Sequence, residues 1–183
     1  MRSWKPRVLV IGLVLGLAGC SSPAVDLKEM RLLGLVLSPH LTPQEVIHLL
    51  GRPEEEEKSP RWLWRPPRLH MKYYRQGLEL AFDSETKSYD PITSRFFRAY
   101  IFLRPEGKYG VFAGKISHGI HGDWDLARLE KAMGPPEKTQ PTGEELEWIY
   151  GERNPFQTVF IAQASDRKLK AIMIIRRDRE RPV

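Results

Sequence analysis

The chain has 183 residues, with 29 basic and 23 acidic side chains and a formal net charge of +6. That length supports one ordinary domain or two small packed units. Cys20 is the only cysteine, which excludes an internal disulfide and any cysteine-based zinc site.

A basic start, Arg2, Lys5 and Arg7, precedes an apolar run over 8–17 broken only by glycines. The run is about half the roughly 20 residues that a bilayer core requires, so it reads as a cleavable secretion signal. Leu17-Ala18-Gly19-Cys20 resembles the lipobox of bacterial lipoproteins. The resemblance implies cleavage before Cys20, which then carries covalent diacylglycerol and an N-acyl chain such as palmitate. Two or more chains give stable membrane anchoring. Ser21 is not acidic, and by the family's sorting rule that points to the outer membrane, periplasmic face. Losing Arg2, Lys5 and Arg7 with the signal lowers the 29 basic side chains to 26 against 23 acidic, so the mature chain is about +3. With this compartment, nucleic acid is not an expected partner. Arg176, Arg177, Arg179 and Arg181 alternate with Asp178 and Glu180 at the C-terminus. They form either a solvated tail or a contact for anionic lipid or an acidic partner.

An internal repeat organises the rest of the chain. Residues 42–54 (TPQEVIHLLGRPE) have a counterpart at 125–137 (DLARLEKAMGPPE). Thr42 and Asp125 are suited to cap a helix, Glu45 completes a capping box and Pro43 fits the first helical position. Val46, Leu49 and Leu50 are expected on one face, as are Leu126, Leu129 and Met133. Gly51 and Gly134 stop the helices, with Pro53 and Pro136 beyond.

Strand-like segments come after each helix: 61–64, 70–74, 78–82 and 98–103, then 146–150, 158–162 and 168–175. The first unit carries extra residues, placed in 84–94. Glu54 to Glu57 and Pro66-Pro67 read as loops. The expected class is α+β, two tandem units of helix and antiparallel sheet. Its divisions are a signal over 1–19, a lipidated tether over 20–36, units over 37–106 and 107–177, and a charged tail over 178–183.

Leu50-Gly51-Arg52-Pro53-Glu54, the segment Tyr74-Arg75-Gln76-Gly77-Leu78-Glu79-Leu80-Ala81-Phe82-Asp83, and Met133-Gly134-Pro135-Pro136-Glu137 resemble the tandem repeats of beta-lactamase-inhibitor-like proteins. The small SmpA/OmlA outer-membrane-assembly lipoproteins are similar to one such unit. The likeness spans about residues 37–177. It departs at Ser38-Pro39-His40, before the first helix, and at Trp124, before the second. It implies binding of a periplasmic enzyme or of an envelope-assembly component.

Little in the sequence argues for chemistry. His118, His121, Asp123 and Asp125 could in principle hold a divalent metal, but turn residues and a helix cap explain the same letters. His48 reads as a surface residue of the first helix. No Gly-x-Ser-x-Gly elbow occurs, and Glu54 to Glu57 and Glu144, Glu145 and Glu147 read as solvated charge. Neither an enzyme nor a metal is expected, and the only attached group is the lipid on Cys20.

The aromatic residues are more informative. Leu78, Leu80 and Phe82 share one strand face, and Tyr100 and Phe102 point opposite to Ala99, Ile101 and Leu103. Trp62 and Trp64 share a face, as do Trp148 and Tyr150. A helix layer on one side of the sheet would leave Trp62, Trp64, Tyr74, Tyr100, Phe102, Trp148 and Tyr150 for partner binding. Alternatively these rings pack between the two units or under the 66–67 loop. The expected function is a non-catalytic protein-binding module, an inhibitor or immunity-type binder of an envelope enzyme. A structural part in outer-membrane protein assembly is the second reading, and an unrecognised enzyme or small-ligand binder the third.

Overall fold

The computed structural model describes residues 23–60, 66–84, 93–153 and 155–177, with backbone only at 152 and 153. Cys20, Trp62, Trp64, the 61–64 strand, most of 84–94 and the 178–183 tail lie outside the described residues.

Three short strands open the described chain: β1 (Val25–Asp26), β2 (Arg31–Leu32) and β3 (Leu35–Val36). They form a small antiparallel sheet. The tether expected over 20–36 is therefore structured from Val25 onward. Val25, Leu32 and Leu35 are buried, and the Val25 N–H donates to the Lys115 carbonyl at 3.0 Å.

Helix α1 (Pro43–Leu50) forms where the caps require it. The Glu45 N–H donates to Thr42 Oγ1 and the Thr42 N–H donates to Glu45 Oε2, which satisfies two first-turn donors. Helix α2 (Leu126–Met133) is capped by Asp125, which accepts from the Arg128 N–H at 2.8 Å. Gly51 and Gly134 end the two helices at φ of 82° and 85°. Val46, Leu126 and Leu129 are buried, whereas Leu49, expected inward with Val46, is 51% exposed.

The remaining strands are β4 (Glu55–Ser59), β5 (Arg68–Tyr73), β6 (Leu78–Asp83), β7 (Arg95–Phe102), β8 (Lys138–Thr142), β9 (Glu145–Arg153), β10 (Phe156–Gln163) and β11 (Leu169–Arg176). They form one antiparallel sheet in the order β4-β5-β6-β7-β11-β10-β9-β8.

This corrects the expected α+β class of two helix-plus-sheet units. The fold is mostly antiparallel β, with two eight-residue α-helices among the described residues. The physical reason lies in β7 and β11. Both carry apolar side chains on both faces, so they pair with each other at the sheet centre, Ala99 opposite Ile174 and Ile101 opposite Ile172. That pairing fuses what would be two sheets into one. Glu54 to Glu57, read as a loop, instead lead into and form most of a strand, Glu55–Ser59, and 138–142 are a strand as well.

The sheet has a helix-side face and an opposite face, set by side-chain alternation. On the helix side, Leu69, Met71, Tyr73, Leu78, Leu80, Phe82, Phe96 and Ile101 meet Ile172, Ile174, Phe156 and Phe160 in one continuous core. Val46 of α1, Leu126 and Leu129 of α2, the small sheet and the 103–124 connection (Phe112, Ile116, Ile120 and Trp124) complete it. The two outer strands are poor templates for further pairing. β4 carries Glu55, Glu56, Glu57 and Lys58, and β8 contains Pro141, which lacks an N–H.

Candidate functional site

The face opposite the helices carries two kinds of surface, ordered by the strand register. One row of directly paired residues runs across it: Glu55, Lys72, Glu79, Tyr100, Met173, Val159, Ile149 and Lys138. The β4–β6 end is charged. The β9–β11 end is apolar, with Ile149, Val159, Ile161, Ala171 and Met173 in a second buried cluster that Tyr100 and Ile175 abut. Where the two ends meet, a cleft of about 330 Å³ opens, lined by Tyr100, Phe102, Arg98, Glu79, Glu145 and Lys170 among others.

Four rings stand at this junction. Tyr100 and Phe102, two apart on β7, stack at 5.6 Å, and Phe102 stacks on Tyr109 at 4.1 Å. Tyr74 meets Tyr109 edge-on at 4.8 Å. Tyr109 comes from the connection after β7, and the turn at 74–77 places it there. The Gly110 N–H donates to the Tyr74 carbonyl at 2.8 Å, and the Phe102 N–H donates to the Gly77 carbonyl at 2.9 Å. Gly77 is required for this approach. Its φ is +62°, and a Cβ there would sit 2.5 Å from the Gly110 oxygen and 2.6 Å from the Phe112 nitrogen.

The charges around the rings are paired with one another. Glu79 is the hub: His70 Nδ1 lies 2.9 Å from Oε1, the Tyr109 hydroxyl donates to Oε2, and Arg98 stands 3.7 Å away. Burial pushes the Glu79 carboxyl up, but the His70 and Tyr109 hydrogen bonds and the Arg98 charge outweigh it and hold the group below its ordinary range. Burial, reinforced by Glu79, raises the Tyr109 hydroxyl well above the usual phenol range. Lys72 donates to Glu55 at 2.8 Å and contacts Glu57 at 2.6 Å. The Lys72 and Tyr74 hydrogen bonds hold the Glu55 carboxyl down at about 2. Across the cleft, Lys170 bridges Glu145 at 2.7 Å and Glu106 at 3.2 Å. The Arg98 guanidinium lies over the Tyr100 ring at 5.0 Å.

The structure therefore brings Tyr74, Tyr100 and Phe102 together and adds Tyr109, which sequence reasoning missed. It does not bring Trp148 and Tyr150 there. Both point to the helix side and are buried, and the Tyr150 hydroxyl donates to the Gly134 carbonyl at 3.0 Å. Alternation showed that Trp148 and Tyr150 share a face but not which one, because Ile149 between them is equally suited to an interior. His121 and Asp123 are paired in an exposed loop. Among the described residues no group of three or more metal-ligating side chains gathers, and no helix is long and apolar enough to cross a membrane.

No protein-family model matches the chain, and no curated protein matches it. Among solved structures it is similar to a DUF4309 family protein (YjgB) from Bacillus subtilis. The identity is 13%, covering 74% of this chain and 78% of that one, with a TM-score of 0.48. It is also similar to an extracellular protein containing a SCP domain from Bacillus anthracis. There the identity is 7%, with 74% of this chain and 43% of the other covered and a TM-score of 0.46.

Proposed function

We propose that the protein is an envelope lipoprotein, anchored through Cys20 at the periplasmic face of the outer membrane, whose sheet face binds another protein without catalysis. The partner is a folded envelope protein that inserts an apolar or aromatic side chain into the cleft beside Tyr100. One observation carries this reading: the four-ring cluster of Tyr74, Tyr109, Phe102 and Tyr100, of which Tyr100 and Phe102 line that cleft. Large rings are favoured at binding hot spots because they bring area at little entropic cost.

Three features support the choice of occupant. A cleft of about 330 Å³ is at the small end of small-molecule sites, and suits a single side chain better than a cofactor. The surrounding charges are largely satisfied internally, so they orient a partner more than they attract one. The sheet's outer strands, with their run of charge and Pro141, disfavour strand addition and leave the face as the docking surface. Binding also fits better than turnover, because a Glu79 carboxyl lowered by its His70 and Tyr109 hydrogen bonds and the Arg98 charge is a poor proton carrier.

The test is photocrosslinking in cells, with a photoreactive residue in place of Tyr100 or, as a control, of Ala127 on the exposed side of α2. The reading expects one envelope protein captured from position 100 and absent at 127. Capture of a soluble periplasmic enzyme would favour the inhibitor or immunity version, and capture of an assembly component the structural one. Equal products at both positions would reject this face.

A further inference from the structure

We propose that the surface formed by the β2–β3 turn and the outer side of α1 rests on the bilayer that holds Cys20. The inference rests on the lipid anchoring proposed above and adds to it the face the domain turns to the membrane.

The chain is fixed into the domain almost at once after Cys20. Val25 is fully buried and bridges to Ile116, and the Ala24 carbonyl accepts from the Leu33 N–H. Four peptide units separate Cys20 from Ala24, and a fully extended chain of that length spans at most about 14 Å. Whatever surrounds Ala24 is therefore held close to the headgroups.

The turn bonded to Ala24 leads to exposed apolar side chains. Leu33 leads into Gly34, where a Cβ would lie 3.4 Å from the Leu49 side chain. Leu49 and Val36 are 51% and 53% exposed and together rim a cleft of about 700 Å³ between β3 and α1. His40, His48 and Leu41 line the same cleft. Among the described residues Val36, Leu49 and Val111 are the exposed large hydrophobic side chains, and Val36 and Leu49 share the cleft next to the turn bonded to Ala24. Scattered apolar residues on a surface carry no message, but a gathering at the one point held against lipid does. Along β1, β2 and the turn between them, Lys28 and Arg31 are balanced by Asp26 and Glu29. Apolar contact, not attraction to anionic lipid, is then the main interaction, and it is insensitive to salt.

The test uses the lipidated full chain in vesicles of phosphatidylethanolamine and phosphatidylglycerol. Acylation of Cys20 leaves no native thiol, so Val36→Cys, Leu49→Cys and Thr142→Cys each accept a single environment-sensitive fluorophore. Thr142 lies on β8, the sheet edge far from α1. Nitroxide-bearing lipids should quench labels at 36 and 49 at least about twofold more than the label at 142, at low and high salt alike. Equal quenching on protein whose Cys20 is acylated by mass spectrometry would overturn the orientation and leave the anchor standing. An unacylated mature chain would overturn the anchor and the orientation with it.

Discussion

The Tyr73 hydroxyl donates to the Gly51 carbonyl at 3.0 Å, tying β5 to the end of α1. The Tyr150 hydroxyl makes the corresponding bond to Gly134 at the end of α2, also at 3.0 Å. In each case a buried ring from the sheet satisfies a carbonyl that the helix leaves unpaired where glycine stops it. Burial pushes both hydroxyls up to about 12, so they remain donors throughout the ordinary pH range. Tyr73→Phe and Tyr150→Phe should each cost about 1 kcal/mol, the net value of one such bond. Urea unfolding measures it, with the slope unchanged. Because the two sites share no partner, the double variant should cost the sum.

Gly77 and Gly143 both have positive φ, at 62° and 63°, yet only Gly77 has backbone within 4 Å of its missing Cβ. Gly143→Ala should lose about 1 kcal/mol from conformation alone. Gly77→Ala should lose more than about 2 kcal/mol, because the 110–112 backbone must also move. Thermal unfolding ranks the two. The Tyr109 resonance in an NMR spectrum should shift in the Gly77 variant only.

Glu79 gives the fold an acid limb. In the unfolded chain its carboxyl titrates near 4.5, and in the folded protein it titrates lower. The ionised form therefore stabilises the fold above 4.5, and that contribution disappears as pH falls through the folded value. Glu79→Gln should be less stable than the parent at neutral pH. The gap should close as pH is lowered past this window, which melting curves at stepped pH would show. A gap constant with pH would mean the carboxylate charge plays no part.

Trp148 is a core residue of the helix side. Trp148→Ala should cost about 3–5 kcal/mol, so any loss of binding in that variant would report unfolding. Circular dichroism and melting distinguish this from Tyr100→Ala, whose ring is only partly buried and whose stability cost should be smaller.

Local physics was legible in the sequence and pairing was not. The helix caps at Thr42 and Asp125 and the stops at Gly51 and Gly134 depend on neighbours within four residues, so their letters suffice. The alternation of Leu78, Leu80 and Phe82 likewise shows a strand. β4 has no apolar period and exists only through its pairing with β5, where Lys72 meets Glu55 and Glu57. The fusion of the sheet through β7 and β11 is a contact between residues far apart in the chain. Of the site, Tyr100 and Phe102 announce their shared face. Tyr109 sits in an aperiodic loop, Glu106 to Gly110, and acquires its place only when Gly77 lets that loop approach.

The most direct measurement is calorimetric binding of the protein crosslinked from position 100 to purified parent, Tyr100→Ala and Leu49→Ala chains. A loss of about 10- to 100-fold is expected for Tyr100→Ala, the range of a hot-spot ring, and no change for Leu49→Ala. Equal affinity for parent and Tyr100→Ala, with both folded, would contradict the claim that the aromatic sheet face is the binding surface.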